Sequence, residues 1–497
     1  MKLLLGIEIV TLFLGIKSFG NKNNTLDDIK LLDNKSNNLF AVMINDGTGN
    51  YNESSTFPEG MYVLNEKMSS CVDNNGNKID NVLSYSDGFV TASTNKTVYC
   101  YLYFDKDNSV YAKVIDDYEK ENGVEKTTDE NGKDIYYYAE NITNNNLVLN
   151  NYCWKMVRTT ETDGVKLIYN GVCSEDTKCN TGADVYINQN KVAFNKIGDS
   201  PAHVGYMYGT VYAYSSKSAS SFGTYYYGSD VTWNGTTYTL SDAESGAIAD
   251  MYSKLSNKHY TCLSTSSSCS TVYYIYRMGS ATDTAYYMIL TNGRKIEDAL
   301  DEMLNYNTTN SNIKTVIDNW YSTNMTNVTD YLENAIYCNN RNISNLGGWN
   351  PNGGSVSASA SVLKFNDYDK NDTRLTCQDK EDQFTLKVDS GGTLGYGNNA
   401  LDYSVGLLTA KEANLAFYFD EKNYLNNTKG DDYWLLSPRD FSSNFAEAYY
   451  ANCGRLRGFF VNGSFGIRPA ISLKKNIKII SGTGEIEDPY TLILLTL

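Results

Sequence analysis

The sequence predicts an α+β fold preceded by a small, disulfide-clipped all-β domain, and three observations predict it. Between about Leu39 and Phe104, alternating apolar residues (Tyr62, Leu64; Val98, Tyr101, Tyr103) are broken by turns such as Asn74-Asn75-Gly76, the pattern of short strands. Helical periodicity appears only in the middle of the remaining chain, with strand patterns on either side, which describes a unit closed by its terminal strands and not a βαβ array. The composition agrees: 42 tyrosines and 38 glycines against six prolines favour half-buried strands and turns.

The chain has 497 residues, and 42 Lys and Arg against 58 Asp and Glu give a net charge of −16. That balance offers no general attraction to nucleic acid, and no Lys/Arg run would settle on an anionic membrane. At this length a large core forms without a cofactor or metal, and none is expected.

From the N-terminus, Met1 to Gly20 combine Lys2, an apolar stretch from Leu3 to Ile16 and Ser18-Phe19-Gly20, as a secretory signal does. Glu8 and Lys17 fit a signal poorly, which leaves an N-terminal membrane anchor open. A linker (21–38), the small β domain (39–105) and a charged linker (106–145) come next, and residues 146–497 form the main unit. The expected location is extracellular, secreted or cell-surface, with membrane contact only through the anchor. Ten cysteines in an exported chain favour disulfides, and the spacings suggest Cys71 with Cys100, Cys262 with Cys269 and Cys338 with Cys377. The pairing of Cys153, Cys173, Cys179 and Cys453 stays open. A zinc reading of Cys173 and Cys179 lacks partners, because the histidines are His203 and His259 alone.

The main unit opens with a hairpin, Cys153 to Arg158 and Val165 to Tyr169, turning through Glu161 to Gly164. A Ser/Tyr/Gly-rich stretch from about Gly198 to Gly246 reads as strands and loops. Ile296, Leu300, Met303 and Leu304 then share one helical face, and Ile313, Val316, Ile317 and Trp320 repeat the pattern after Ser311. A further helical turn is expected to start near Asp330, with Glu333 three residues on. Thr409-Ala410-Lys411-Glu412 is a capping box, flanked by Leu408 and Ala413 as a staple. After Asp432, short strands with turns at Gly454, Gly458, Gly463 and Gly466 form a β meander.

Cys153-Trp154-Lys155-Met156-Val157-Arg158-Thr159-Thr160, Val204 to Gly209, Ile317 to Tyr321, Leu407 to Ala410, Tyr433-Trp434-Leu435-Leu436-Ser437-Pro438 and Gly466-Ile467-Arg468-Pro469-Ala470 resemble a family of uncharacterised surface proteins of low-GC Gram-positive bacteria. The family's C-terminal module looks like the C-type-lectin fold shared with formylglycine-generating enzymes. The resemblance covers about Asn146 to Leu497. It implies a C-type-lectin-like module with long insertions, paired terminal strands, two helices beside a twisted sheet, and ligand contacts on irregular loops.

Within the matching motifs, Trp154, Trp434, Ser437, Pro438, Gly466, Arg468 and Pro469 are read as structural: a Trp before Ser-Pro fills a core, and an Arg before Pro satisfies buried carbonyls. The recognition surface is placed between them. Arg439, Asp440, Phe441, Asn444 and Phe445, then Arg455, Arg457, Phe459 and Asn462 on adjacent hairpins, mix aromatic faces with polar heads.

Catalytic sets are wanting. No G-x-S-x-G elbow accompanies the two histidines, and Cys262 beside His259 is assigned to a disulfide. The cysteine chemistry of the oxidase branch of the related fold would want a second Cys near Cys453. Asp367 to Asp372 begins like a calcium loop, then places Asp372 and Gln378 where Gly and Glu belong. Trp349-Asn350-Pro351 departs from sugar-binding lectin motifs, and Gly395-Tyr396-Gly397 reads as a turn. The expected function is a non-catalytic exported or cell-surface binding protein that presents its head to a protein or glycan, as an adhesin does. Two alternatives stay open: a structural or self-associating surface protein, and a carboxylate-dependent glycan-acting enzyme using acids such as Asp431, Asp432 and Asp440.

Overall fold

Strand pairing in this chain joins segments far apart in sequence. The computed structural model describes residues 11–15, 39–45, 49–58, 62–86, 89–93, 97–139, 142–174, 178–179, 185–188, 190–198, 200–211, 214–218, 230–233, 236–241, 261–264, 271–277, 284–291, 296–342, 361–364, 375–387, 396–417, 425, 432–442, 445–452 and 455–494. It is mostly β-sheet with few helices, α+β in that coarse sense. No described helix is long and apolar enough to cross a membrane. The chain divides into two units, Met1–Lys120 and Glu121–Leu497.

In the first unit, Leu39–Asn45 runs parallel to Tyr99–Lys106 over seven register pairs, and these two strands centre a six-stranded sheet. Phe40, Ile44, Leu102 and Phe104 supply the apolar content, and Val42, Leu64, Val90 and Val98 complete the core. The Cys71–Cys100 disulfide ties two directly opposed residues of adjacent strands. A unit this small gains from that constraint, on the order of 3 kcal/mol. Thr11–Gly15 is a strand against Phe89–Ser93; the rest of the expected signal or anchor lies outside the described residues.

The segment read as a charged linker is structured. Val110–Glu119 is a helix, N-capped by the Ser109 hydroxyl, which accepts from Ala112 N, and Val124–Thr128 pairs with Asp134–Tyr138 as a hairpin. The charges of Asp116, Asp117, Glu119 and Lys120 hid the signal, because Val110, Tyr111, Val114 and Ile115 recur at helical spacing and are buried.

The second unit is built on an eight-stranded sheet. Tyr152–Thr159 and Val165–Val172 form the expected hairpin, and Val165–Val172 continues to Ala470–Leu473. Asn146–Leu149 pairs in parallel with Tyr490–Leu494, so strands from near the start and the end of the unit lie side by side. The helix Asn312–Asn324 docks through Trp320, whose ring centroid lies 5.6 Å from that of Tyr152 and 5.7 Å from that of Tyr169. Ile296–Asn305 is the other expected helix. The turn expected to start near Asp330 instead ends there: Thr326–Tyr331 is a 3₁₀ helix, and Glu333 follows it in a loop. The Ser/Tyr/Gly-rich stretch contributes Tyr214–Ser218, Asp230–Trp233 and Thr236–Ser241 to a six-stranded sheet.

The Cys338–Cys377 bridge is present as expected. Cys153 pairs with Cys179, and Cys173 is a free thiol. Cys269 and Cys453 lie outside the described residues, so the pairing of Cys262 does too.

Candidate functional site

The meander near the C-terminus carries part of the expected recognition set on a four-stranded sheet ordered Ser361–Lys364, Tyr433–Ser442, Phe445–Asn452, Arg455–Phe460. Arg455–Phe460 is one of the two edge strands of this sheet among the described residues. Its register places Arg455 opposite Asn452, Arg457 opposite Tyr450 and Phe459 opposite Ala448, so the three share one face at period two. Arg455, Arg457 and Asn462 are exposed.

Three phenylalanines stand in solvent here, Phe445 at 39%, Phe459 at 43% and Phe460 at 38% exposure. Phe460 touches the other two: centroids lie 5.0 Å apart for Phe445 and Phe460 and 5.7 Å for Phe459 and Phe460. Behind Phe459, Phe465 packs on its ring at 5.4 Å and stacks on Tyr450 at 4.1 Å, and Trp434 meets Phe465 edge-on at 4.7 Å. A buried aromatic base therefore holds the exposed Phe459 ring in place.

Phe441 and Asp440 do not belong to that surface. Phe441 is fully buried and Asp440 nearly so. The register of Tyr433–Ser442 against Phe445–Asn452 shifts twice, between Trp434 and Pro438 and again between Pro438 and Asp440, so alternation does not carry through the strand and Phe441 faces Ala446 inside. Arg439 lies across Gly458, where an added Cβ would fall 1.8 Å from its Cδ, and it pairs with Glu447. Burial, reinforced by Asp440 and opposed by Arg439, pushes the Glu447 carboxyl up to about 7. Asn444 lies outside the described residues.

The residues read as structural are buried or tied to buried groups. Trp154 and Trp434 are fully buried, their indole N–H groups donating to Leu149 O at 3.3 Å and Val192 O at 2.8 Å. The Ser437 hydroxyl accepts from Ala410 N at 2.9 Å, Pro438 is buried, and an added Cβ at Gly466 would strike the Tyr186 ring at 2.2 Å. Arg468 donates to Tyr169 O at 3.0 Å, Leu425 O at 2.7 Å and Asn170 Oδ1 at 2.9 Å, and Pro469 O accepts from Tyr169 N.

Two features, the ion pairs of Glu412 and a polar cleft, had no sequence signal. Glu412 closes the expected capping box, its N–H donating to Thr409 Oγ1 at 3.0 Å and its Oε2 accepting from Thr409 N at 2.9 Å; its Oε1 also accepts from Arg158 Nε and Lys166 Nζ, each at 2.7 Å. Burial alone would raise the Glu412 carboxyl, but Lys166 and Arg158 overcome it and hold the group down at about 2. The second feature is an open cleft of about 700 Å³ lined by Asn307, Thr308, Asn310, Glu381, Lys387, Asn398 and Asp402 among others. Its polar groups come from separate segments, and in a chain this rich in Asn no local pattern marks them.

Among the described residues, the three-cysteine group of Cys153, Cys173 and Cys179 is the one set of His, Cys, Asp or Glu side chains close enough to share an ion. Comparison with protein-family models, with curated proteins and with solved structures finds no match.

Proposed function

We propose that the chain is a non-catalytic, exported or cell-surface binding protein whose second unit is a C-type-lectin-like head for a protein or glycan ligand. The observation that carries this reading is the exposed Phe459 ring, braced from behind by Phe465 and sharing one face of an edge strand with the exposed Arg455 and Arg457, with Phe460 and Phe445 continuing the exposed aromatic surface around that edge. Exposed rings normally cost hydration free energy, and a braced ring beside cationic heads is what an interface centre offers. The head reading draws support from the paired terminal strands, and from helices beside the sheet as the resemblance implies. Export draws support from the three disulfides among the described residues.

The test is binding of the oxidised chain to a mixed glycan array and to immobilised cell-surface proteins, with and without chelator, beside Phe459→Ala and Arg457→Ala. Saturable binding that both substitutions weaken at least tenfold supports the reading. Undiminished binding in both variants sinks this surface as the site.

A second reading, carboxylate-dependent action on a glycan, has one observation in its favour: Asp440 and Glu447 lie together, with Glu447 held near neutrality. Loss of array signal over time, abolished by Glu447→Gln, would select it.

A further inference from the structure

Cys153, Cys173 and Cys179 come from the start of one strand, the end of its hairpin partner and the loop beyond. Cys173 and Cys179 face each other in a single antiparallel bridge, and Ser174 N donates to Lys178 O at 3.0 Å to close the loop between them. Backbone bonds fix both ends: Cys173 N to Asn151 O and Cys179 N to Ile486 O, each 2.9 Å. Cys153 is bonded to Cys179, yet the thiol of Cys173 lies only 3.0 Å from Cys153 Sγ, and all three sulfurs fall within 4.8 Å of one another.

We propose that these cysteines form an exchangeable disulfide, in which Cys173 displaces Cys179 from Cys153. The Cys173 thiolate attacks Cys153 Sγ, the Cys153–Cys173 bond forms as the Cys153–Cys179 bond breaks, and Cys179 departs as a thiolate that takes up the proton Cys173 released. One disulfide and one thiol stand on each side, so no outside oxidant or reductant is needed. The separation of 3.0 Å is the approach at which a bound nucleophile is already positioned to react.

The exchange shortens the sequence separation spanned by the bridge from 26 to 20 residues. It also removes the covalent tie of Cys179, leaving its hydrogen bond to Ile486 and the bridge to Cys173 to hold the loop. Burial pushes the Cys173 thiol up to about 11, so at neutral pH it persists as the protonated thiol and exchange runs through the minor thiolate fraction.

The experiment incubates the full-length oxidised chain at pH 8.5 without added redox reagents, quenches it in acid, alkylates it and maps disulfide peptides by mass spectrometry. The expected map contains both Cys153–Cys179 and Cys153–Cys173, with the alkyl label divided between Cys173 and Cys179. Cys179→Ser is expected to form Cys153–Cys173 quantitatively, and Cys173→Ser to show Cys153–Cys179 alone. A wild-type map with only Cys153–Cys179 and all label on Cys173 overturns the proposal, and so does a folded Cys179→Ser chain that keeps thiols at both Cys153 and Cys173. If that variant does not fold, the wild-type map decides alone.

Discussion

Arg158 and Glu412 lie 254 positions apart in the chain, and Arg158 Nε meets Glu412 Oε1 at 2.7 Å with both side chains buried. The same carboxylate ends a helix cap and joins Lys166, so it links the opening hairpin to a helix some 250 residues downstream.

Glu412→Gln removes the charge that both cations face. Among the described residues Arg158 then keeps only the longer 4.0 Å ion pair with Glu161, and removing one partner of a buried ion pair costs about 3 to 5 kcal/mol, so urea denaturation at pH 7 should show a loss of that order. Because the folded-state pKa is depressed, the Glu412 contribution is full above about pH 4.5 and disappears as pH falls toward about 2. The difference between wild type and variant should shrink over that window.

Glu333 has the opposite sign. Burial pushes its carboxyl up to about 7, against hydrogen bonds from Thr160 and Thr162. Between about pH 4.5 and 7 the folded state holds a proton that the unfolded state has lost, so stability falls as pH rises through that range. Glu333→Gln should be stabilising relative to wild type at pH 8 by about 3 kcal/mol more than at pH 4.5, read from urea midpoints at the two pH values.

Lys155 is buried on the strand Tyr152–Thr159, and burial, reinforced by Arg468, pushes its amine down to about 7. The unfolded chain binds the proton more tightly between about pH 7 and 10.5, so this group costs stability most at low pH and the cost fades as pH rises through that interval. Lys155→Met should therefore raise the unfolding temperature at pH 6, a gain of a few kcal/mol that shrinks toward pH 10. Equal melting of the two proteins at pH 6 would show that the site solvates the ammonium.

Gly164 closes the hairpin turn against two neighbours. An added Cβ would lie 2.3 Å from Leu473 O and 2.4 Å from Glu333 Oε1. The first is backbone and cannot swing aside, so Gly164→Ala should destabilise by about 1 to 3 kcal/mol in the same urea assay.

These sites mark where sequence reading succeeds and where it stops. The Thr409 to Glu412 box was legible because its partners are three residues apart, and the hairpin Cys153 to Tyr169 because its period is local. The destination of Glu412 Oε1 was not, since Arg158 and Lys166 reach it only through tertiary packing. Phe445, Phe459 and Arg457 were legible as surface groups, whereas Phe441 was misplaced because two register shifts in one strand reset its alternation. Cys71 and Cys100 could be paired from the strands around them; Cys153 could not, because two partners stand within reach of it.

The parallel contact of Leu147 with Tyr490 has a consequence for biogenesis. The eight-stranded sheet cannot complete itself until more than 340 residues of chain have followed Leu147 out of the ribosome, because its neighbour strand lies that far downstream. Loop closure over such a span is slow, which keeps the unit unfinished during synthesis. For the exported protein proposed above, that delay would keep the chain threadable until it reached the far side of the translocation channel, where its disulfides can form.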